Sequence, residues 1–371
     1  MRIRYDPPDF AAAPLADAPD ARFAPAPADG VLPEGYFSTT NLPTYVRIDG
    51  SWRLPERPRM DAAIVRLPAG DLEAREGRLV RGGEHVALGM AEDGSDGILV
   101  HGAGFREETV DSDEEFQFMT SEVSREKPVD YEEMAAALLG ERAAGGHVVW
   151  VLGPAVLHSR GRDAVTWFVR NGFVGALLGG NAIAVHDVEQ ALMGTTLGMD
   201  HKGRPVRGGH AFHMRAINKV RGAGSIAAAV DTGILTAGIM HACVTGGVPF
   251  VLCGSIRDDG PLPDVIQDIA AAQGAMREHA VRATLVVMIA TALHSIAFGN
   301  MLPAYYRTAD GEIRALPTIA VDSSEFLVSK LKDRGTRHAI GVITNAQDFL
   351  HVLRDHVERA AAAPAATAGA A

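Results

Sequence analysis

From Gly146 onward, short apolar runs alternate with helix-length segments. His147-Val-Val-Trp-Val-Leu152 stops at Gly153-Pro154, and Phe173-Val-Gly-Ala-Leu-Leu178 stops at Gly179-Gly180-Asn181. Val248-Pro-Phe-Val-Leu-Cys253 stops at Gly254, and residues 284–290 stop at Thr291-Ala-Leu-His294. Thr318-Ile-Ala-Val321 stops at Asp322, and Ala339-Ile-Gly-Val-Ile343 at Thr344-Asn345. Runs this uniformly apolar predict strands buried on both faces, hence a parallel sheet sandwiched by helices. Helices are expected between them, for example over 264–281 and 346–360. Every run ends in small or polar residues, so the sheet has one polar rim, where ligands of open α/β sheets bind.

Before Gly146 the period shortens to two. Thr44-Tyr-Val-Arg-Ile48 alternates, Asp49-Gly50 is a strong hairpin turn, and Ser51-Trp-Arg53 follows. Residues 61–66, 84–89 and 97–101 read as further strands of a small sheet or barrel-like module. An acidic bridge at 107–115 and a helix over 131–142 lead out of it. Residues 1–29 are Ala/Pro/Asp-rich without periodicity and read as an extended or disordered leader, able to wrap a neighbouring subunit. The organisation expected is leader 1–29, β-rich domain and connecting helix 30–145, Rossmann-like domain 146–359 and a fraying tail 360–371. The leader and β-rich module look too thin to stand alone, which argues for a homo-oligomer.

Composition narrows the class. The formal charge of −11, with no long basic run, argues against nucleic-acid binding. No apolar run is long enough for a membrane span and no signal-peptide pattern opens the chain, so a cytoplasmic protein is expected. Cys243 and Cys253 lie in apolar surroundings and read as reduced core thiols, with no histidine or cation to activate them.

The chemistry concentrates in Gly254-Ser-Ile-Arg257-Asp258-Asp259-Gly-Pro-Leu-Pro-Asp264, which places a cation, three carboxylates and two prolines at the end of a buried strand. Packing requires none of these. No P-loop pattern occurs, and the one G-x-G-x-x-A, Gly222 to Ala227, follows a helical segment and reads as a helix-packing glycine pair. His210 and His213, three apart, would share a helix face, but with no third ligand in view no metal site is expected. His186-Asp187 follows the strand-like Ala182-Ile-Ala-Val185 and reads as a hydrogen-bonded structural pair. His294, ending the strongest buried strand, is the better rim candidate. Asp322 suits a ribose hydroxyl, and Lys330 reads as a solvated helix lysine.

These residues resemble a known family. Gly153-Pro-Ala-Val156, Gly180-Asn-Ala182, Ala184-Val-His-Asp187, Gly194-Thr-Thr-Leu-Gly198 and Arg215-Ala-Ile-Asn218 fit it in order. So do the stretch from Gly254 to Val265, Leu293-His-Ser-Ile296, Gly299-Asn-Met-Leu-Pro303 and Asp333-Arg-Gly335. The family is the archaeal-type NAD-dependent ornithine cyclodeaminases, also carried as the carboxy-terminal part of cyanobacterial arginine dihydrolase/ornithine cyclodeaminase. The resemblance runs from about residue 29 to 353.

It implies a β-rich module followed by a Rossmann-like, deoxyhypusine synthase-like domain binding NAD. The cofactor contacts it implies are Asn181, Ala182, Asp259, Thr291, Ala292, Leu293, His294, Asp322, Asn345 and Ala346. The implied reaction is that of an ammonia-lyase in proline biosynthesis. It oxidises L-ornithine or a close diamino acid at the α-carbon, closes the ring through the distal amine, loses ammonia and returns the hydride. Arg257, Asp258, Asp264 and His294 are the catalytic and substrate-holding candidates. The alternative is an NAD-dependent amino-acid dehydrogenase or imine-forming enzyme of different substrate; a third reading is an NAD-binding regulatory protein. The chain departs from the family at Tyr45, where an acidic residue is usual, at Ser323-Ser324-Glu325, and by an insertion over 305–316.

Overall fold

The computed structural model describes residues 3–106, 129–258, 260–308, 310–334 and 339–362. The acidic bridge at 107–115, Asp259 and the end of the tail lie outside the described residues.

The described residues of the amino-terminal half form nine strands: β1 (Arg4–Tyr5), β2 (Arg22–Pro25), β3 (Thr44–Ile48), β4 (Ser51–Arg53), β5 (Ala63–Arg66), β6 (Leu72–Arg75), β7 (His85–Leu88), β8 (Ile98–Val100) and β9 (Phe105–Arg106). They form a sheet of order β2-β7-β5-β6 and another of order β4-β3-β8. Val46, Ile48, Ile64, Leu72 and Ile98 fill the space between, because the period-two pattern turns one face of each strand inward. The β3–β4 hairpin turns at Asp49 (φ 50°) and Gly50 (φ 74°), the two left-handed residues a tight hairpin needs.

The described part of the leader, from residue 3 on, takes the extended form of the two expected. It is extended and built into the chain's own sheets: β2 pairs with β7 from Arg22 to Pro25, and β1 pairs with β9 and with a later strand. Its lack of hydrophobic period hid this, since β1 is only two residues long and β2 is an edge strand with no buried side chain.

Helix α1 (Tyr131–Ala144) starts at Asp130, whose side chain accepts from Glu133 N–H, and ends at Gly145 with φ 68°. Then come β10 (Val148–Leu152), α2 (Ala155–His158), α3 (Arg162–Arg170), β11 (Ala176–Gly180), α4 (Asn181–Met193), α5 (Phe212–Ala223), α6 (Ile226–Asp231), α7 (Ile239–Thr245), β12 (Phe250–Cys253), β13 (Val265–Ile266) and α8 (Ile269–Ala280). The chain closes with β14 (Leu285–Ile289), α9 (Ala292–Gly299), the antiparallel hairpin β15 (Tyr305–Arg307) and β16 (Ile313–Ala315), β17 (Thr318–Asp322), α10 (Glu325–Arg334), β18 (Ala339–Ile343) and α11 (Ala346–Ala362). Seven parallel strands run in the order β13-β12-β11-β10-β14-β17-β18.

Alternate residues of β10 feed two cores. Val148, Trp150 and Leu152 join one with α1, α3, α4 and α11. Val149 and Val151 join the other, with Met276 of α8 and Phe298 of α9. This two-sided burial is why the strands read as unbroken apolar runs. Cys243 and Cys253 fall in different cores, both free and buried. Burial pushes their thiols up to about 12 and about 11.

Three expectations change. The segment 182–185 is helical, being the first turn of α4; Gly180 ends the strand, and the helix is buried on nearly all sides, which gave it the uniform apolar look of a strand. The helix expected from 264 starts at Ile269, where Asp268 caps Ala271 N–H, after the short strand β13. Gly222 and Gly224 do not pack against a neighbour. Gly224 (φ 99°) instead ends α5, and Ser225 caps α6.

The β-rich module docks at the amino-terminal end of the parallel sheet. Buried Arg277 of α8 donates to the carbonyls of Arg57 (2.7 Å) and Ala74 (3.2 Å), and Arg57 pairs with Glu278 at 2.6 Å. The β15–β16 hairpin joins β1 and β9 in a sheet of order β15-β16-β1-β9, tying the leader to the second half. The thinness of the module is therefore met within one chain and no longer argues for an oligomer. Tyr45 sits in this region, packed with Tyr5 and Leu99 and away from the carboxyl rim. No helix among the described residues is long and apolar enough to cross a membrane.

Candidate active site

Strand order reverses between β10 and β14, so the crevice of the sheet must open at their carboxyl ends. Gly153 makes that junction tight. Its N–H donates to the Ile289 carbonyl (2.9 Å), and a Cβ on it would lie 1.8 Å from the Ala290 oxygen. A cavity of about 740 Å³ lies there, within the range of small-molecule and cofactor sites.

Helix α4 begins directly after β11. Its N-cap, Gly180 (φ −99°, ψ 178°), has no side chain to offer the first amides. Helix α9 begins after β14, and the Thr291 side chain does not cap it either. The Thr291 hydroxyl is 3.2 Å from His294 Nδ1. Two helix N-termini with open amides therefore meet at one cavity, an arrangement suited to anionic oxygen.

Residues of the stretch after β12 supply the facing wall. Asn181 Oδ1 accepts from Leu262 N–H (3.1 Å), and Asn181 Nδ2 lies 3.4 Å from Asp258 Oδ1. Asp258 Oδ2 accepts from Ser255 N–H (2.8 Å). Arg221 donates to the Pro261 carbonyl (2.9 Å) beside Gly260, whose φ of 86° allows the turn. These bonds hold the loop while leaving the Arg257 side chain exposed at the cavity edge. The His294 ring rests on Gly180: a Cβ there would stand 2.7 Å from Cε1. Burial pushes the His294 imidazole below its usual value, and the Asp258 carboxylate only partly opposes this.

Of the residues singled out in the sequence, Asn181, Ala182, Arg257, Asp258, Thr291, Ala292, Leu293 and His294 converge on this cavity. Asp264 does not. Its Oδ2 accepts from Ile226 N–H at the start of α6 (2.9 Å), and burial raises its carboxyl. Asp322 and Asn345 stand further along the rim with local roles: Asp322 Oδ1 accepts from Ser324 N–H, and Asn345 caps Asp348 N–H. From β12 to β18 the rim spans five inter-strand steps, roughly 24 Å, so a ligand touching all these positions would have to be extended. His210 and His213 do not share a helix: His210 lies in the turn before α5, and only His213 reaches the cavity.

The sequence reading missed His158 and underrated His186, both of which line the cavity. Their rings meet edge-on at 5.0 Å. The one available signal was His186-x-x-Glu189, a helical i, i+3 pair. Asp187, by contrast, is structural: its carboxylate, 0% exposed, takes Arg162 Nε (2.7 Å) and the amides of Ile239 (3.0 Å) and Met240 (2.8 Å). Among the described residues no group of three or more His, Cys, Asp or Glu could hold a metal ion.

Residues 132–353 match the family described as arginine dihydrolase ArgZ-like, C-terminal, Rossmann fold, and residues 43–132 match its first region. The chain is 45% identical over 344 residues to the ornithine cyclodeaminase of Methanopyrus kandleri, covering 92% of this chain and 79% of that protein. It is 41% identical over 350 residues to the bifunctional arginine dihydrolase/ornithine cyclodeaminase AgrE of Nostoc, covering 92% of this chain and 47% of that one. A LOR/SDH protein of Methanococcus maripaludis superposes with a TM-score of 0.82 at 40% identity, covering 92% and 99% of the two chains. AgrE in ternary complex with ornithine and NAD+ superposes with a TM-score of 0.58 at 38% identity, covering 93% and 46%.

Proposed function

Because the chain belongs to the family of arginine dihydrolase ArgZ-like C-terminal domains and is an ornithine cyclodeaminase-like enzyme, we propose that its rim cavity binds NAD+ and turns L-ornithine, or a close diamino acid, into L-proline or the matching cyclic imino acid plus ammonia. The observation that carries the proposal is the meeting of two open helix N-termini with histidines, Arg257 and Asp258 in one cavity at the switch point. That donor set fits a dinucleotide pyrophosphate.

The amides at Asn181 and Ala182, with those of Thr291 to His294, would hold the phosphates. Asp259, Asp322, Asn345 and Ala346 are the proposed contacts along the rest of the rim. When bound, NAD+ supplies a hydride acceptor that can give the hydride back. The chain's own residues do the remaining work. Arg257, free of an intramolecular carboxylate partner among the described residues, suits the α-carboxylate of the substrate. Asp258 suits an ammonium group. Asp264, committed to α6, is proposed as a positioning residue for the loop and not as a substrate contact. His294, whose imidazole burial pushes below its usual value, can accept a proton from an amine. Leu197, Met214 and Leu293 give the mouth an apolar lip that would exclude water while the distal amine is held near the α-carbon.

The test is incubation with NAD+ and a panel of diamino acids, scoring ammonia, cyclic product and absorbance of NADH. Ornithine giving proline and ammonia in equal amounts, without net NADH, supports the proposal. Accumulating NADH would instead make the chain a dehydrogenase, and saturable NAD+ binding without turnover of any diamino acid would contradict the proposal.

A further inference from the structure

Glu189 is fully buried in the third turn of α4, yet it is not a passive core residue. Its Oε1 accepts from the Thr195 hydroxyl (2.8 Å) and Gly198 N–H (2.9 Å), and its Oε2 from Leu197 N–H (3.1 Å). The two amides, one on each oxygen, are donors of fixed sense, while the hydroxyl can turn to donate. Burial would raise this carboxyl, and the hydrogen bonds it accepts, those of Gly198 and Thr195 among them, more than reverse that. The remaining contact of Oε2, at 2.9 Å, is His186 Nδ1. As a carboxylate Glu189 can only accept, which puts the proton of this contact on His186 Nδ1. Nε2, on the opposite edge of a ring that lines the cavity, is then the basic nitrogen, and no described residue is bonded to it.

Resting on the function proposed above, we infer that His186 Nε2 is the proton carrier of the ring-closing step and that Glu189 is its positioning residue. Attack of the distal amine on the α-imine carbon leaves a surplus proton on the new ring nitrogen. Nε2 takes that proton and delivers it to the α-amino nitrogen as its bond to the α-carbon breaks. The bonding pair leaves with ammonia, the ring-nitrogen lone pair closes the C=N bond, and the imidazole ends as it began. One side chain serves both transfers because both nitrogens sit on the same carbon. An imidazolium beside a buried carboxylate is the intermediate state this arrangement stabilises.

The same carboxylate fixes the lip of the cavity. By holding Leu197 N–H and Gly198 N–H it sets Leu197 at φ 52°, and Gly198 is pressed against Gly209, a Cβ there lying 2.5 Å from the Gly209 carbonyl carbon. Orientation of the base and of the apolar lip are therefore linked through Glu189. The charged and titratable groups that face His186 across the cavity are His158 of α2, His213 of α5, Arg257 and Asp258 of the loop, and His294 of α9. His158 is pushed below its usual value by burial and then by His186, which leaves it a poor competitor for the proton.

Two variants of the full chain test the assignment. His186→Asn keeps a donor where Nδ1 was and removes Nε2. Glu189→Gln keeps the shape; with its amide oxygen in the place of Oε1, taking the Thr195 hydroxyl and Gly198 N–H, its NH2 faces the imidazole beside Leu197 N–H and forces the proton onto Nε2. Each should lower kcat about 100-fold, the scale of general acid–base catalysis, with NAD+ affinity within threefold of wild type. In Glu189→Gln the acid limb of kcat/KM should also move to lower pH, since the imidazolium loses its counter-charge. A merely structural Glu189 would lower activity without moving that limb, and His186→Asn active within threefold of wild type would overturn the proton-carrier role. If wild type consumes no diamino acid, the proposed function itself falls and this assignment with it, an outcome separate from an active wild type with unaffected variants.

Discussion

Gly180→Ala tests how the cavity is put together. The backbone of Gly180, at φ −99° and ψ 178°, is open to alanine, so no torsional strain arises. Losing the glycine's freedom in the unfolded chain would by itself stabilise by about 0.4–1 kcal/mol. The new Cβ, however, would stand 2.7 Å from His294 Cε1 and 3.1 Å from Nε2. Carbon pairs settle near 3.5 Å or beyond, so the ring must withdraw by about 0.8 Å. It cannot do so freely, because Nδ1 is 3.2 Å from the Thr291 hydroxyl. Overpacking of this kind costs about 1–3 kcal/mol, which leaves a net loss near 1 kcal/mol. A catalytic group displaced by about 1 Å can lose about 100-fold in rate, so kcat/KM should drop roughly 10- to 100-fold. Urea denaturation reads the first number, and ammonia release under saturating NAD+ reads the second. In a His294→Ala background the clash is gone, and adding Gly180→Ala should leave stability unchanged or slightly higher. Equal losses in both backgrounds, or none in either, would refute the seating of His294 on Gly180.

Asp187→Asn should destabilise the fold by about 3–5 kcal/mol, since it breaks a buried pair with Arg162 and disturbs the amides that start α7; a loss under 1 kcal/mol in urea would contradict that. At the amino end of β10, burial, helped by Arg282 and His279, pushes His147 down to about 4, below the unfolded value near 6.5. The unfolded chain then binds more protons between those values, so this contribution is complete above about pH 6.5 and is lost as pH falls toward 4. Melting temperature should track that window, and His147→Gln should flatten it. Deleting residues 1–28 should lower the melting temperature and promote self-association, because it uncovers the edge of β7 and parts β16 from β9; an unchanged, monodisperse truncation would show the leader to be dispensable.

How far the sequence could be read follows from what each residue touches. β10 and β14 are apolar at every position because both faces are covered, so the sheet and its carboxyl rim stood out as runs. Asn181, Arg257, Asp258 and His294 were legible because each immediately follows such a run. Residue type alone could not place Asp264: the amide it accepts from belongs to Ile226, on another helix, and only the fold brings them together. Residues 182–185 carry two β-branched side chains and read as a strand, although in α4 their burial comes from lying between β11 and α5. Misreading that helix hid the i, i+3 relation of His186 and Glu189. The leader escaped for the opposite reason, since β1 and β2 are held by backbone pairing and show little hydrophobic pattern.

Cyclodeamination at this cavity is tested most directly by the fate of two labelled atoms of the substrate. Ornithine carrying deuterium on the α-carbon and nitrogen-15 on the α-amine, given to the enzyme with NAD+ equal to the number of sites, should yield proline that keeps the deuterium. The nitrogen-15 should appear in the ammonia, and absorbance of NADH should not rise with turnover. Nitrogen-15 retained in the cyclic product, deuterium lost to water, or one NADH formed per substrate would each contradict cyclodeamination at this cavity.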